Sequence, residues 1–291
     1  MDTLAKALIS RASGQSKLRV DDVVICEVDL AMIHDSGGPR RVKPILDRLQ
    51  RQVWDKDKIV VVTDHYVPAD NAETQAIQAL TKQWVQDQSI DKFYDEQGIC
   101  HVVLPERGHL APGLFCVGGD SHSPTGGAFG AYMFGIGATE MAGVLATGEI
   151  WIKVPETILM SWRNQLSAYV TAKDMMLAMC RKIGMGGGRY QAIQYAGQTI
   201  QALSMQERMT LSNMAAELGA QAGLIAPDEA TVAFVQAAGG TVPANWRDFQ
   251  IEAAESAENV MQFDAASLEP QIAAPHSPEN ADAADAFRNI S

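Results

Sequence analysis

The sequence predicts an α/β protein built as two three-layer α/β domains with mostly parallel sheets. Short runs rich in β-branched residues alternate with segments of helical periodicity, which is typical of strand-helix-strand units around a parallel sheet. The chain has 291 residues, enough for one large or two ordinary domains. A second series of alternating strand-like and helical segments begins at Pro155. We therefore expect domains over 1–154 and 155–270, followed by an acidic linker or tail over 271–291.

In the first domain, an amphipathic helix is expected over the first ten residues, where apolar residues recur at helical spacing. Residues 58–63, Lys-Ile-Val-Val-Val-Thr, predict a buried parallel strand. A single apolar stripe predicts a helix over 71–86. Further strands are predicted over 101–104 and 113–118. A glycine-rich stretch follows, and its small residues let the backbone approach another segment or a ligand.

In the second domain, a strand is predicted over 157–162 and a helix over 171–183. The helix has Thr171 and Asp174 at the spacing of a capping box and a glycine directly after it. Another helix is predicted over 211–218. Residues 252–291 contain eight acidic residues, one basic residue and three prolines. Such a composition forms a core poorly, hence the predicted linker or tail.

Composition and charge disfavour several kinds of partner. The net charge is −12, and a chain this acidic is repelled by phosphate backbones and anionic lipid headgroups, so neither nucleic acid nor a membrane is expected. No apolar run approaches the ~18 residues of a membrane helix, and no signal-peptide core opens the chain. The four cysteines contain no Cys-x-x-Cys pair. We expect a cytoplasmic protein with buried, reduced thiols.

Histidines next to acidic residues are the strongest chemical signal. Five of the six histidines lie within the first 122 residues. The neighbouring sets are His34-Asp35, Asp64-His65 and Asp120-Ser121-His122. Two of these sets directly follow predicted strands, at the edge where open α/β sheets bind ligands. A carboxylate beside a histidine fixes its tautomer and favours its protonated form, which suits proton transfer near neutral pH.

Other chemistries fit less well. Adjacent residues such as Asp120, Ser121 and His122 point in different directions and cannot form a hydrolase triad among themselves, and the Gly-x-Ser-x-Gly turn is absent from the sequence. A zinc site from His101, His109 and Cys116 lacks a recognised ligand spacing. The glycine-rich stretch lacks both a dinucleotide fingerprint and the Gly-Lys-Ser/Thr of a phosphate-binding loop.

Asn213 and Glu217 lie four residues apart on the predicted helix over 211–218, so we expect them to share one face. Most of the other residues of this helix are apolar. A buried amide and a buried carboxylate would each need a hydrogen-bonding partner. A cationic histidine is one candidate partner.

Several stretches that cover nearly the whole chain share one family resemblance: residues 28–35, 62–65, 98–101, 119–127 with 135–137, 153–157, 209–217, 268–271 and 275–278. In this order they resemble the aconitase superfamily, and most nearly the large subunit of its isopropylmalate dehydratase and homoaconitase branch. The resemblance implies an aconitase-like fold. It also implies a hydro-lyase that dehydrates and rehydrates 2-alkylmalate-type hydroxy acids with the help of a [4Fe-4S] cluster.

The resemblance also implies roles for particular residues. The residues that match the family's catalytic positions are Asp64, His65, His101, Asp120, His122 and Glu217. Those that match its substrate-binding positions are His34, Ser121 and Asn213. Asp64 and His65 resemble the pair that protonates the departing hydroxyl. His101 is expected to pair with Asp120, and His122 with Glu217.

The sequence departs from the family where the cluster is bound. The family's Ser-Cys-Thr-Asn and Cys-x-x-Cys stretches are absent from these 291 residues, as are its later substrate-binding arginines and the serine base of its mobile domain. No protein metal ligand is therefore predicted in this chain. The expected partners are a small swivelling-domain subunit, a cluster-bearing domain or chain, and a small hydroxy-acid substrate. The alternative is a cluster-free, non-catalytic homologue that serves as a binding or assembly module.

Overall fold

The structure is a computed structural model that describes residues 3–252 and 259–288. Its α-helices are α1 (Leu4–Ser13), α2 (Pro39–Leu49), α3 (Ala72–Asp87), α4 (Cys100–Glu106), α5 (Ala138–Thr147), α6 (Ala172–Ile183), α7 (Gln198–Ala202), α8 (Met205–Asn213) and α9 (Glu229–Ala237). Its strands are β1 (Val23–Glu27), β2 (Leu30–His34), β3 (Ile59–Thr63), β4 (Phe93–Asp95), β5 (Phe115–Gly118), β6 (Tyr132–Gly135), β7 (Glu149–Lys153), β8 (Thr157–Arg163), β9 (Ala192–Ala196), β10 (Ala222–Ile225), β11 (Asn259–Asp264), β12 (Gln271–Ala273) and β13 (Ala281–Ala283).

The first sheet has five parallel strands in the order β4-β3-β2-β5-β6. Strands β2 and β3 are buried along their whole length, because helices and loops cover both faces. One face packs on α1, α2, α3 and α5. The other packs on α4 and on a 3₁₀ helix, Ser123–Phe129. The predicted three-layer α/β arrangement is confirmed here.

The second sheet has four parallel strands in the order β10-β9-β8-β11. A methionine-rich core joins one face to α6 and α8. On the other face, Ala192, Ala222 and Leu224 belong to the core of the first sheet, so the two sheets share apolar packing. Strands β1 and β7 form a separate antiparallel ribbon.

The predicted domain division stays a prediction, with its boundary falling between β7 and β8. In the region expected as an acidic linker or tail, β12 and β13 pair as an antiparallel hairpin. This hairpin contacts α6, and Arg181 on that helix pairs with Asp282. Within the described ranges, the structure contains no helix with the length and apolar content to span a membrane.

Two secondary-structure predictions are wrong. Residues 101–104 were expected as a strand but lie in α4, whose first N–H, on Cys100, donates to the Asp64 carboxylate (2.7 Å). The helix expected over 211–218 is α8, which starts at Met205 and ends at Asn213. A capping box of Ser204 and Glu207 fixes its start. The other predicted strands and helices are present within a few residues of the expected bounds.

Candidate active site

The carboxyl ends of three neighbouring strands bring most of the predicted site residues together. His34 is the last residue of β2, Asp64 and His65 follow β3, and residues 119–122 follow β5. Because β2 lies between β3 and β5 in the sheet, these three ends are adjacent. His101 reaches the same place from α4 rather than from a strand.

Asp35 ties two of these strand ends together. Its carboxylate is fully buried and accepts four backbone N–H groups, from Ser36, Asp64, His65 and Tyr66, at 3.0 to 3.4 Å. A buried carboxylate needs such donors. The sequence analysis did not assign a role to Asp35, because it predicted no strand before this residue and the only local signal was its position next to His34. Asp35 positions the loop that carries His65.

Asp64 orients His65. Nδ1 of His65 donates to Oδ1 of Asp64 (2.6 Å), while Oδ2 of Asp64 accepts the Cys100 N–H at the start of α4. Nε2 of His65 lies 3.5 Å from Oδ2 of Asp120. The His65 side chain is 34% exposed. It is therefore a fixed but accessible imidazole with Nε2 directed toward Asp120.

Asp120 is the centre of the network. Its Oδ1 accepts Nε2–H of His101 (2.7 Å) and the backbone N–H of His122 (2.8 Å). The hydrogen bonds from His101 and then His122 hold the pKa of Asp120 well below its usual range. Asp120 is therefore a carboxylate at neutral pH.

His122 lies between two carboxylates. Its Nε2 donates to Oε1 of Glu217 (3.3 Å), and its Nδ1 lies 3.6 Å from Oδ1 of Asp120. Hydrogen bonds to Asp120 and then to Glu217 raise the pKa of His122 to about 10. Burial alone would raise the pKa of Glu217, but the hydrogen bond from His122 leads the effects that bring it below its ordinary value. The pair is an imidazolium and a carboxylate at neutral pH.

His34 is held in the neutral form. Its ring stacks on His65 with centroids 3.8 Å apart. Nε2 donates to the Gly119 carbonyl (3.0 Å), and the Gly37 N–H donates to Nδ1 (3.4 Å). Burial, and then the neighbouring His65, lower the pKa of His34. Both ring nitrogens are engaged and His34 is only 4% exposed, so within this chain its ring stacks on His65.

Ser121 and Asn213 lie at different depths. The exposed Ser121 hydroxyl is 3.2 Å from Nδ1 of His122. Asn213 donates from Nδ2 to the Thr125 hydroxyl (2.9 Å), which in turn donates to the His122 carbonyl (2.7 Å). Asn213 thus reaches the network through Thr125.

Asn213 and Glu217 do not share a helical face, which corrects the sequence analysis. Helix α8 ends at Asn213, and residues 214–219 continue in turns. Close packing of the two units still brings Glu217 to His122. At Gly127, beside the site, an added Cβ would lie 1.9 Å from the Gly223 carbonyl. Only glycine permits this approach.

A cavity of about 380 Å³ adjoins the network and is lined in part by Asp120, Ser121 and Tyr190. Its size lies within the range of small-molecule sites. His109 is half-buried, and its Nε2 accepts the Tyr94 hydroxyl (2.6 Å). Burial lowers the pKa of His109 to about 4.

The four cysteines, Cys26, Cys100, Cys116 and Cys180, are free and buried. They lie on β1, α4, β5 and α6. Burial raises the pKa of all four thiols, to about 12 for Cys26 and about 11 for Cys180. Metal ligation requires the thiolate. These thiols do not fit an iron-sulfur cluster, which needs thiolates converging on one cavity.

In residues 3–252 and 259–288, the one group whose ligand atoms lie within metal-binding distance of each other is His34, Asp35, Asp64 and His65. It contains no cysteine. The Asp35 oxygens and both His34 nitrogens are already engaged in hydrogen bonds. We therefore do not assign a metal to this group. The set considered for zinc, His101, His109 and Cys116, does not converge in the described ranges.

The model of the aconitase family (aconitate hydratase) matches residues 6–289. The chain belongs to the aconitase family. It is 41% identical over 279 residues to the probable 3-isopropylmalate dehydratase large subunit of Methanothermobacter thermautotrophicus, covering 96% of this chain and 66% of that protein. It is 42% identical over 279 residues to 3-isopropylmalate dehydratase large subunit 1 of Methanopyrus kandleri, with the same coverage.

A probable methanogen homoaconitase large subunit of Methanosarcina mazei is 41% identical over 258 residues, which are 88% of this chain and 65% of that protein. The chain thus spans about two thirds of the length of these relatives. The crystal structure of Thermococcus kodakaraensis aconitase X (holo-form) aligns with a TM-score of 0.45 at 8% identity, covering 83% of this chain and 57% of that one. The family resemblance inferred from the motifs is confirmed.

Proposed function

We propose that this chain is the proton-transfer part of a hydro-lyase large subunit, which dehydrates and rehydrates a 2-alkylmalate-type hydroxy acid. One observation carries the proposal: the histidines and carboxylates at one sheet edge form a connected network. It runs from Asp64 and His65 to Asp120, and from Asp120 through His122 to Glu217. Its members come from two units and three separate segments. The family membership of the chain supports the same reaction class.

The proposed role of His65 is to protonate the departing hydroxyl. In dehydration the carbon–oxygen bond breaks, and the leaving oxygen takes a proton from Nε2 to become water. The carbon-bound proton goes to a base that another domain or subunit supplies. Asp64 keeps His65 in the required orientation. In rehydration the oxygen of a water molecule bonds to the carbon as one of its protons passes to Nε2, and the base returns its proton to the neighbouring carbon.

The proposed role of His122 is electrostatic. An anionic hydroxy acid meets a site already rich in carboxylates, so a cation is needed near its carboxyl groups. His122, protonated between Asp120 and Glu217, supplies one. Ser121 beside it offers a hydroxyl, and we propose that both contact the substrate, together with Asn213 and His34.

The remaining parts of such an enzyme would come from elsewhere. We propose a small swivelling-domain subunit as one partner and a cluster-bearing domain or chain as another. Relatives that carry the words "large subunit" in their names support a small partner. The cysteines described above do not converge, so a [4Fe-4S] cluster would be held by residues other than these. The cytoplasmic location stays a prediction.

Activity of the assembled enzyme tests the proposal. The chain is co-purified anaerobically with subunits encoded next to it, and a panel of 2-alkylmalates is assayed by the absorbance of the unsaturated diacid product. Turnover of at least one 2-alkylmalate is expected. An assembly that contains a bound cluster but turns over none of these acids would contradict the proposal and favour a binding or assembly module.

A further inference from the structure

The ribbon of β1 and β7 has an apolar outer face. Along both strands, buried and exposed residues alternate. The exposed residues are Val23, Ile25 and Glu27 on β1, and Glu149, Trp151 and Lys153 on β7. Ile25 and Trp151 lie directly opposite each other, and they are 59% and 64% exposed. Contiguous large apolar side chains this exposed indicate an interaction surface.

A groove beside this outer face contains an unexplained glycine. The groove has a volume of about 300 Å³ and is lined by Trp151 and by Gly143 of α5. An added Cβ at Gly143 would meet no described atom within 4 Å outside its own helix. Glycine inside a helix costs about 0.5–1 kcal/mol relative to alanine. The fold of one chain does not explain this cost, but a side chain entering from outside would.

The charges at the two ends of the face are complementary to each other. Glu27 and Glu149 lie opposite one another at one end, and in the described structure neither forms an ion pair within 4.0 Å. Two carboxylates in this position repel each other. Lys153 lies at the other end, paired with the exposed Asp21 (2.6 Å). Glu149 and Lys153 are each two residues from Trp151, on opposite sides.

We propose that the outer face of the β1–β7 ribbon is the contact between two copies of this chain. A two-fold axis parallel to the face, crossing the strands at the Ile25–Trp151 pair, places Lys153 of one copy over Glu149 of the other. It also brings each Trp151 toward the other copy's Gly143 groove. Such a contact is self-complementary, as a two-fold interface requires. Because each strand of the face has only five residues, the association is weak and depends on concentration.

Sedimentation velocity from low micromolar to several hundred micromolar protein tests this proposal. The wild-type chain is expected to double in mass as concentration rises. Trp151→Glu is expected to remain monomeric. The control is Tyr169→Glu, since Tyr169 is 92% exposed but lies outside the face, and this variant is expected to dimerise as the wild type does. Circular dichroism melts check that each variant is folded.

Charge reversal tests the orientation of the two copies. Glu149→Lys and Lys153→Glu, made singly, are each expected to weaken dimerisation by about tenfold or more. The double variant is expected to restore it, because the reversed charges meet across the axis. Gly143→Leu is expected to block dimerisation without lowering the melting temperature.

Three results would overturn the proposal. One is a wild-type chain that stays monomeric at every concentration. Another is a double charge variant that dimerises no better than the single variants. The third is a face that binds only a separate small subunit, which would assign the surface to that partner.

Discussion

The carboxyl edges of the two parallel sheets contain very different polar groups. At the first sheet, His65 and His122 are each about one third exposed, and each has carboxylate neighbours. At the second sheet, Arg208 is 1% exposed and donates to the Gln201 and Leu203 carbonyls and to Asp228. The first edge can exchange protons with a ligand, whereas the second edge fixes the loops around it. The second edge also borders a cavity of about 470 Å³ that is lined in part by Arg208 and Asp228. The two edges therefore differ in their chemistry, exposed imidazoles against a buried guanidinium, and not in whether they have room for a ligand.

The largest effect is expected at His65. In an enzyme completed by its partners, His65→Ala should lower turnover by on the order of 10²–10⁴, the usual contribution of a positioned general acid. Substrate affinity should change little, because the proton is delivered mainly in the transition state. Steady-state kinetics measure both quantities.

The matched control for His65 is His109→Gln. His109 lies outside the network, and glutamine can still accept the Tyr94 hydroxyl, so turnover should stay near that of the wild type. Equal losses in both variants, with folding intact, would mean that the site is misplaced. A fully active His65→Ala enzyme would remove the acid role altogether.

Arg208 tests the contrasting edge. Arg208→Met should lower the free energy of unfolding by about 1–3 kcal/mol, because it leaves the Leu203 and Gln201 carbonyls and Oδ2 of Asp228 without the donor that Arg208 provides. The control is Arg163→Met, since Arg163 forms an exposed pair with Asp264 and should contribute less than about 1 kcal/mol. Urea unfolding measures both. Similar values for the two variants would contradict the structural role given to Arg208.

The pH dependence of stability follows from His122, Asp120 and Glu217. The raised pKa of His122, about 10 against 6.5, contributes stability that is complete below 6.5 and is lost as pH rises to about 10. The lowered pKa values of Asp120 and Glu217 contribute stability that is lost as pH falls below their ordinary values of 3.8 and 4.5. The melting temperature of the protein should therefore be highest between about pH 5 and 6.5.

Glu217→Gln isolates one member of this set. The variant should flatten the alkaline side of the stability profile, since His122 loses one of its two carboxylate partners. Its acid side should change less, because Asp120 is still present. An alkaline profile identical to that of the wild type would show that Glu217 does not stabilise the imidazolium.

The smallest change is expected when iron and sulfide are added to this chain. Anaerobic reconstitution of this chain alone should produce no absorption band near about 400 nm, because its thiols lie on separate elements and do not converge. Measured iron should remain far below four atoms per chain. A band that disappears when the cysteines are replaced would contradict this expectation.

Sequence reasoning located the strand ends better than it located the contacts between distant segments. The local sequence predicted the buried β-branched run of β3 and the acid-histidine pair after it. It also predicted the sheet edge on which Asp64 and His65 lie. The start of α4 was missed because its N-terminal N–H is satisfied by Asp64, 36 residues away. Strand β11 was missed because its acidic surroundings masked a short apolar run.

The residues alone suggested some cationic histidine as a partner for Glu217, and only the family resemblance implied that this partner is His122. Local periodicity predicted a continuous helix through Glu217, but the chain leaves the helix at Asn213, and α8 itself packs against Ser123–Phe129. Such packing depends on residues about 90 positions apart. Helical spacing alone cannot reveal it.

The most direct test of the connected network is an NMR titration of the histidine side chains in this chain. The account predicts that His122 remains protonated through neutral pH and titrates near 10, while His109 is neutral at pH 6 because its pKa is about 4. In Glu217→Gln, the pKa of His122 should fall. A wild-type His122 that titrates at the ordinary value of 6.5, unchanged in that variant, would contradict the central claim that His122 is a cation held between Asp120 and Glu217.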